Sequence, residues 1–368
     1  MVSIFSLLAV SLVLAFLSQK NILTIFGPAG RKFDAALVLL IIMLSFYGGL
    51  RTNYNDTATY ISGFNNTVTW QEFWSTSHNI LGNVGFYAFQ AFFHQYISGN
   101  YHLFFVVVAF FVNGSYLFYI RKRSENFIFS ILIFFCIGLY ISQFAAMKQH
   151  IAMAILVLAL PRLEKRQYFL YYLLVFIAML FHSYAIFFVI MPLFLNRPWK
   201  KITYLTIICV VFILFTFESS ITGFLETAEA LGKDISESEV FDTAGINLFR
   251  LTVYAVLPVM SFCFQKYLRR EYNRETSLMM NMSILSFLVM CLGLVSGGNL
   301  FGRCAIYFEI GTVTVFPWLL HRVFNRRSYE FIIGVASVCF LIFFYMDVGT
   351  FASEFTRISI SEFFNGLF

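Results

Sequence analysis

The sequence predicts an all-α, polytopic integral membrane protein of about twelve transmembrane helices, some of them short or broken. Three observations carry that reading. Of 368 residues, 60% are hydrophobic and only 12% charged, where an ordinary soluble domain is about 25% charged. The apolar runs are continuous, without the period-two alternation of an outer-membrane barrel. The polar breaks between them alternate in basic content along the chain. A soluble enzyme, a disordered chain and a disulfide-rich secreted module are all excluded by such a composition.

The first residues, Met1 to Leu17, have no basic leader and no small-residue cleavage site after them, so they read as a first span. Six breaks are rich in Lys and Arg and are expected on the cytoplasmic side. They carry Lys20, Arg31 and Lys32; Arg121 to Arg123; Arg162, Lys165 and Arg166; Arg197, Lys200 and Lys201; Lys266, Arg269, Arg270 and Arg274; and Arg322, Arg326 and Arg327. The intervening breaks are poor in both residues. The spans this implies are roughly 1–18, 35–50, 101–120, 127–142, 148–161, 167–182, 183–196, 202–217, 248–267, 277–296, 303–321 and 329–347, with both termini outside. Those between 127 and 196 fall short of the ~20 residues a bilayer requires, which predicts tilted or half-length helices there. Residues 51–100 form a first outer loop, in which Asn83 to Ile97 reads as a re-entrant or interfacial helix. The whole of 1–368 is one transmembrane domain. The +6 net charge sits mainly on cytoplasmic loops, so nucleic acid is not an expected partner and membrane lipid is. No Walker loop, dinucleotide glycine motif or His-Glu-x-x-His occurs, and no cofactor is expected. Any work must draw on a pre-activated substrate or a gradient.

Six basic residues break the inside rule: Arg51, Lys148, Lys233, Arg250, Arg303 and Arg357. Lys233 falls in a solvated acidic loop and Arg357 in the tail, and neither is assigned a role. The other four each mark the outer end of an expected span. Snorkelling accounts for any one of them; four at one depth are expected to make a cationic patch at the outer boundary. Such a patch suits a lipid-linked diphosphate, which Arg grips with its planar fork, and stabilises the charge on a departing diphosphate. Arg51 and Arg303 are the first candidates. Arg250 is weaker, because Asp242 or Glu239 would neutralise it.

Acid–base candidates on the same face are Asp56, His150 and His182. Residues 218–250 form a long acidic outer loop, readable either as solvated or as a lid that hydrogen-bonds sugar hydroxyls. Trp70 and Trp74 belong to an aromatic run that fits interfacial anchoring or sugar stacking. Cys136, Cys209, Cys263, Cys291, Cys304 and Cys339 lie in or beside apolar stretches and read as packing.

Four pieces of the chain, in order, resemble the EpsG/Wzy-like polysaccharide polymerases. Gly48-Gly49-Leu50-Arg51, followed by Asp56, Tyr60 and Phe64, is similar to that family's "G-x-R … D-x-x-x-Y" stretch. Met147-Lys148-Gln149-His150-Ile151-Ala152 resembles its "L-R-Q-x-I-A" segment, with Lys148 where the family usually has Arg. His182-Ser183 falls at its His-Ser turn, and Phe301-Gly302-Arg303 with Tyr307-Phe308 and Pro317 resembles its late "R-x-x-x-Y-F … P" helix. The resemblance implies a metal-independent glycosyltransferase of O-antigen, capsule or exopolysaccharide assembly in the bacterial inner membrane, with its site facing the periplasm or exterior. It would transfer a glycan from undecaprenyl diphosphate to the terminal sugar hydroxyl of another undecaprenyl-diphosphate-linked repeat. Arg51, Asp56, His150, His182 and Arg303 would be catalytic; Tyr60, Lys148, Gln149, Arg250 and Tyr307 would bind substrate. The expected partners are the lipid-linked oligosaccharide, a chain-length regulator and a flippase. The alternatives are an O-antigen ligase or other lipid-sugar transferase and, in a different class, a flippase or transporter of the same glycan.

Overall fold

The computed structural model describes residues 2–26, 32–76, 78–79, 82–230 and 244–366. It is mostly helical, with little sheet. Helix α1 (Val2–Gln19) leads through the antiparallel pair β1 (Thr24–Phe26) and β2 (Lys32–Asp34) into α2 (Ala35–Gly49). Strand β3 (Arg51–Asn53) follows, then α3 (Thr57–Asn65), α4 (Trp70–Ser75) and α5 (Val84–Tyr96). Next come α6 (Tyr101–Arg123), α7 (Phe127–Cys136), α8 (Leu139–Ala145), α9 (Met147–Glu164) and α10 (Tyr168–Phe181). A 3₁₀ helix spans Ser183–Leu195, followed by α11 (Lys201–Phe215), α12 (Phe217–Ala230), α13 (Leu248–Cys263), α14 (Gln265–Leu268) and α15 (Arg274–Leu292). The chain ends with α16 (Gly298–Ile306), α17 (Glu309–Val323), α18 (Arg326–Asp347), α19 (Gly349–Glu354), β4 (Thr356–Arg357) and α20 (Ile360–Asn365).

Helix lies over each of the twelve expected apolar segments, but the breaks differ. Among the described residues α6, α15 and α18 are long and apolar enough to cross a bilayer, and three bent pairs raise the count to six at most, against the twelve expected. Gly138, at φ +82°, separates α7 from α8 with a 43° bend, a left-handed conformation that glycine adopts without strain. The expected span 303–321 is interrupted by a 61° bend between α16 and α17. The segment 183–196 is short for a span, yet its first 13 residues, Ser183–Leu195, form a 3₁₀ helix. At ~2.0 Å per residue that reaches about 26 Å, where an α-helix of equal length reaches about 20 Å. Large aromatics such as Phe169 and Phe215 stand 80% and 87% exposed, as side chains facing lipid do.

Two compact units make up the chain: Met1–Leu158, Leu180–His182 and Ile333–Phe368 form the first, and Ala159–Met179 with Ser183–Ile332 the second. In the first, α2 packs closely along α6. A Cβ on Gly49 would lie 2.6 Å from Val106 Cα and 2.8 Å from its amide nitrogen, so only glycine allows that approach. A polar chain crosses the same packing: Asn113 Nδ2 reaches Ser45 Oγ at 3.4 Å, and Gln143 Nε2 donates to Asn113 Oδ1 at 3.2 Å. At the basic end of α6, Arg121 meets Asp34 at 3.4 Å and donates to Ser18 at 2.8 Å, where Asp34 also caps α2 through Leu37 N at 3.0 Å. In the second unit α15 is the hub against which α11, α13, α16 and α17 pack. Ser286 Oγ donates to Ala305 O at 3.1 Å, tying α15 to the end of α16.

Candidate active site

The first unit gathers most of the residues singled out in the sequence. Arg51 opens β3, separated from Gly48-Gly49 by Leu50, and is 2% exposed. Its Nη1 donates to Gly48 O at 2.8 Å, its Nε donates to Thr57 Oγ1 at 3.2 Å, and its guanidinium lies 4.3 Å from the Phe105 ring centroid. Burial pulls its pKa down to about 10, with Tyr60 and Tyr140 opposing; Arg51 is therefore still a cation at neutral pH. Arg51 Nη2 is buried with no hydrogen-bond partner among the described residues.

Asp56 sits at the N-cap of α3, half-buried, one residue before Thr57. One turn further on, Tyr60 carries its hydroxyl to the backbone of Lys148 and Met147, at the start of α9. Burial raises the Tyr60 pKa to about 12; the Lys148 and Met147 amides and Arg51 oppose this, while the charge of Asp56 adds to it. Two sequence motifs nearly ninety residues apart thus meet at one hydroxyl. Lys148 is half-buried, donates to Tyr87 Oη at 2.7 Å and lies 4.3 Å from that ring's centroid and 5.1 Å from that of Phe86.

The rest of the α9 motif turns inward. Gln149 is 1% exposed, with its Nε2 3.9 Å from Met153 Sδ. His150 is fully buried; its Nδ1 is 3.0 Å from the Tyr116 hydroxyl, and its Nε2 has no partner among the described residues. Arg51 and His150, together with Gln143 and Phe144, line a void of about 10 Å³, which is room for about one water molecule. His182 is half-buried and interacts electrostatically with His150. Helix α5 is brought beside it, since a Cβ on Gly85 would lie 2.9 Å from Leu180 Cβ.

The C-terminal segment closes over the same place. Strands β3 and β4 pair antiparallel with Arg51 opposite Arg357, Asn53 Nδ2 donates to Glu354 O at 2.9 Å, and Ile358 N donates to Leu50 O at 3.0 Å. Arg357 lies 5.1 Å from the Tyr47 ring centroid. No local motif marks Arg357, Thr57 or Tyr116, and Tyr87 follows the aromatic run of Trp70 and Trp74 in the first outer loop.

Arg250, Arg303 and Tyr307 belong to the second unit. Arg250 is half-buried near the start of α13, and Arg303 is half-buried on α16. Tyr307 is 1% exposed at the break before α17, 6.2 Å from Phe188 between ring centroids. Just beyond the break, Glu309 is 1% exposed and accepts a hydrogen bond from the Tyr254 hydroxyl. The acidic loop begins as a helix: Phe217, Ile221 and Leu225, one turn apart on α12, pack against Leu300, Phe301 and Cys304 of α16. Its Lys233, Asp234, Glu237, Glu239 and Asp242 lie outside the described residues, as does Arg31 near the N-terminus. Among the described residues no three His, Cys, Asp or Glu side chains cluster as metal ligands do.

No curated protein and no solved structure matches this sequence. The model of the EpsG family matches residues 34–360, a stretch that runs from the start of α2 through the C-terminal strand and takes in every residue of the site. The chain belongs to the EpsG family.

Proposed function

We propose that this protein is a polymerase of lipid-linked oligosaccharide repeats. It would move a glycan from one undecaprenyl diphosphate to the terminal sugar hydroxyl of another lipid-linked repeat, at the outer face of the bacterial inner membrane. Family membership supports the polysaccharide-polymerase class. The observation that carries the site is the Tyr60 hydroxyl at the backbone of Met147 and Lys148, which joins Arg51, Asp56, Tyr60 and Lys148 in one unit.

In this reading Lys148, the more accessible cation, contacts the leaving diphosphate and stabilises its developing charge. Arg51 contributes its buried positive field and anchors the Thr57–Tyr60 turn through Thr57. Asp56 and His182 are half-buried, whereas His150 is fully buried beside a void of about 10 Å³ that has no room for a sugar. We therefore assign the removal of the acceptor proton to His182 and keep Asp56 as the alternative base. In the second unit, taken by itself, Arg303, Arg250 and Tyr307 remain proposed substrate contacts, and in the first Gln149 would brace α9. The bond broken is that between the anomeric carbon and the diphosphate oxygen, and the bond formed joins the anomeric carbon to the acceptor oxygen. The acceptor proton goes to the base, and the electron pair of the broken bond stays on the diphosphate.

Purified protein incubated with lipid-linked repeats should yield a ladder of chain lengths on a gel. The His182→Gln variant should give single repeats only. A full-length ladder from that variant would remove His182 from the mechanism.

A further inference from the structure

The second unit holds a cleft of about 490 Å³, lined by Arg197, Lys200, Lys201, Thr203, Asn281 and Phe194 among others. That is the size of a small-ligand pocket. No carboxylate is among its lining residues, and the three cations fall in a basic break expected to face the cytoplasm. Lys200 is the N-cap of the 15-residue helix α11 and no side chain caps that end, so the partial positive charge of the helix terminus adds to the three cations. The turn is pinned from below: Trp199, at φ +59°, donates through Nε1 to Ser261 Oγ at 3.0 Å and through its amide to Thr203 Oγ1 at 3.1 Å.

Asn281 makes the cleft more than a basic surface. It is 3% exposed, and its Nδ2 donates to Phe194 O at 2.7 Å and Asn196 O at 2.8 Å, which fixes the amide's orientation. Its Oδ1 is consequently an acceptor, and it is buried without a partner among the described residues. A buried acceptor left unmatched is costly in a native fold. Phosphate oxygens cannot satisfy it, because they too are acceptors. A hydroxyl carried next to a phosphate can.

We infer that this cleft binds a glycerophosphate group, with the phosphate on Arg197, Lys200, Lys201 and the α11 terminus, and a glycerol hydroxyl donating to Asn281 Oδ1. The group would come from an anionic phospholipid headgroup of the inner leaflet, which juxtamembrane cations attract. The site is independent of the polymerase reading and uses none of its residues.

The test is native mass spectrometry of the full chain released from nanodiscs made with phosphatidylglycerol, phosphatidylmethanol or phosphatidylcholine, with a parallel titration of detergent-solubilised protein with sn-glycerol 3-phosphate. Three cations at roughly five-fold each give the wild type a preference on the order of 100-fold for phosphatidylglycerol over phosphatidylcholine. The R197Q/K200Q/K201Q variant, changed only at exposed positions, should lose it. Phosphatidylmethanol, which keeps the charge and lacks the hydroxyls, should be retained less than phosphatidylglycerol. Equal retention of those two lipids would overturn the Asn281 contact. An unchanged preference in the triple variant would overturn the site. Saturable binding of sn-glycerol 3-phosphate with no retained lipid would overturn the lipid source.

Discussion

Replacing Lys148 with Met separates chemistry from folding more cleanly than any other change at the site. The side chain is half-buried, with one hydrogen bond to Tyr87 Oη at 2.7 Å and a ring face at 4.3 Å. At an exposed position the ring contact contributes about 0.5–1 kcal/mol, and the hydrogen bond about 1 kcal/mol. Methionine keeps most of the stem, so the stability loss should be about 1–2 kcal/mol, leaving the protein folded and in the membrane. Loss of one preorganised charge from a departing oxyanion costs about 10²–10³-fold in rate. K148M should therefore make at least about 100-fold less polymer in the ladder assay. Tyr87→Phe removes the hydroxyl and keeps the ring, and it should lower the thermal midpoint slightly while polymer length is preserved. Lys148→Arg keeps the charge and restores the fork; it should retain activity. A normal ladder from K148M, at wild-type expression, would refute the assignment of Lys148 to the diphosphate.

Three other perturbations test the frame around the site. Gly49→Ala places a Cβ against the Val106 backbone; overpacking of this kind costs about 1–3 kcal/mol, so thermal unfolding in detergent should shift down, and an unchanged midpoint would contradict the close approach of α2 and α6. Tyr254→Phe strips the buried Glu309 side chain of a donor, a loss of about 1–3 kcal/mol for a buried polar group, read as faster thermal inactivation. The Glu72 carboxyl is held below its usual 4.5 by the Thr69 amide and hydroxyl in the α4 capping box. A depressed carboxylate stabilises above the unfolded value and loses that contribution as pH falls through the folded one. In a W199F/W318F background, Trp70 and Trp74 fluorescence should change as pH drops below about 4.5, and Glu72→Gln should flatten the response.

The membrane class and the helical segments were legible because both rest on local quantities. Continuous apolar runs mark helices wherever they pack, and Asp34, Asn100 and Asn126 stand at the N-caps of α2, α6 and α7 where their short polar side chains accept backbone amides. Breaks were harder. The bend of α16 against α17 follows Tyr307 and Phe308, which look like helix interior in sequence; the 3₁₀ course of 183–195 is equally unmarked.

The order of four motifs along the chain sufficed for the family; the choice of Arg51 and Lys148 followed from charge placed against the inside rule, and that of Tyr60 from the resemblance. What the sequence left open was which of these side chains face inward. Residues two apart on α9 diverge, Lys148 toward Tyr87 and His150 toward the small void beside Arg51, because each step along a helix turns by about 100°. Arg357 was set aside as tail, yet strand pairing puts it opposite Arg51, a partnership across three hundred residues that no periodicity encodes. Local composition selects lipid over water and helix over strand; burial, orphaned donors and cross-strand partners exist only once distant segments share a surface.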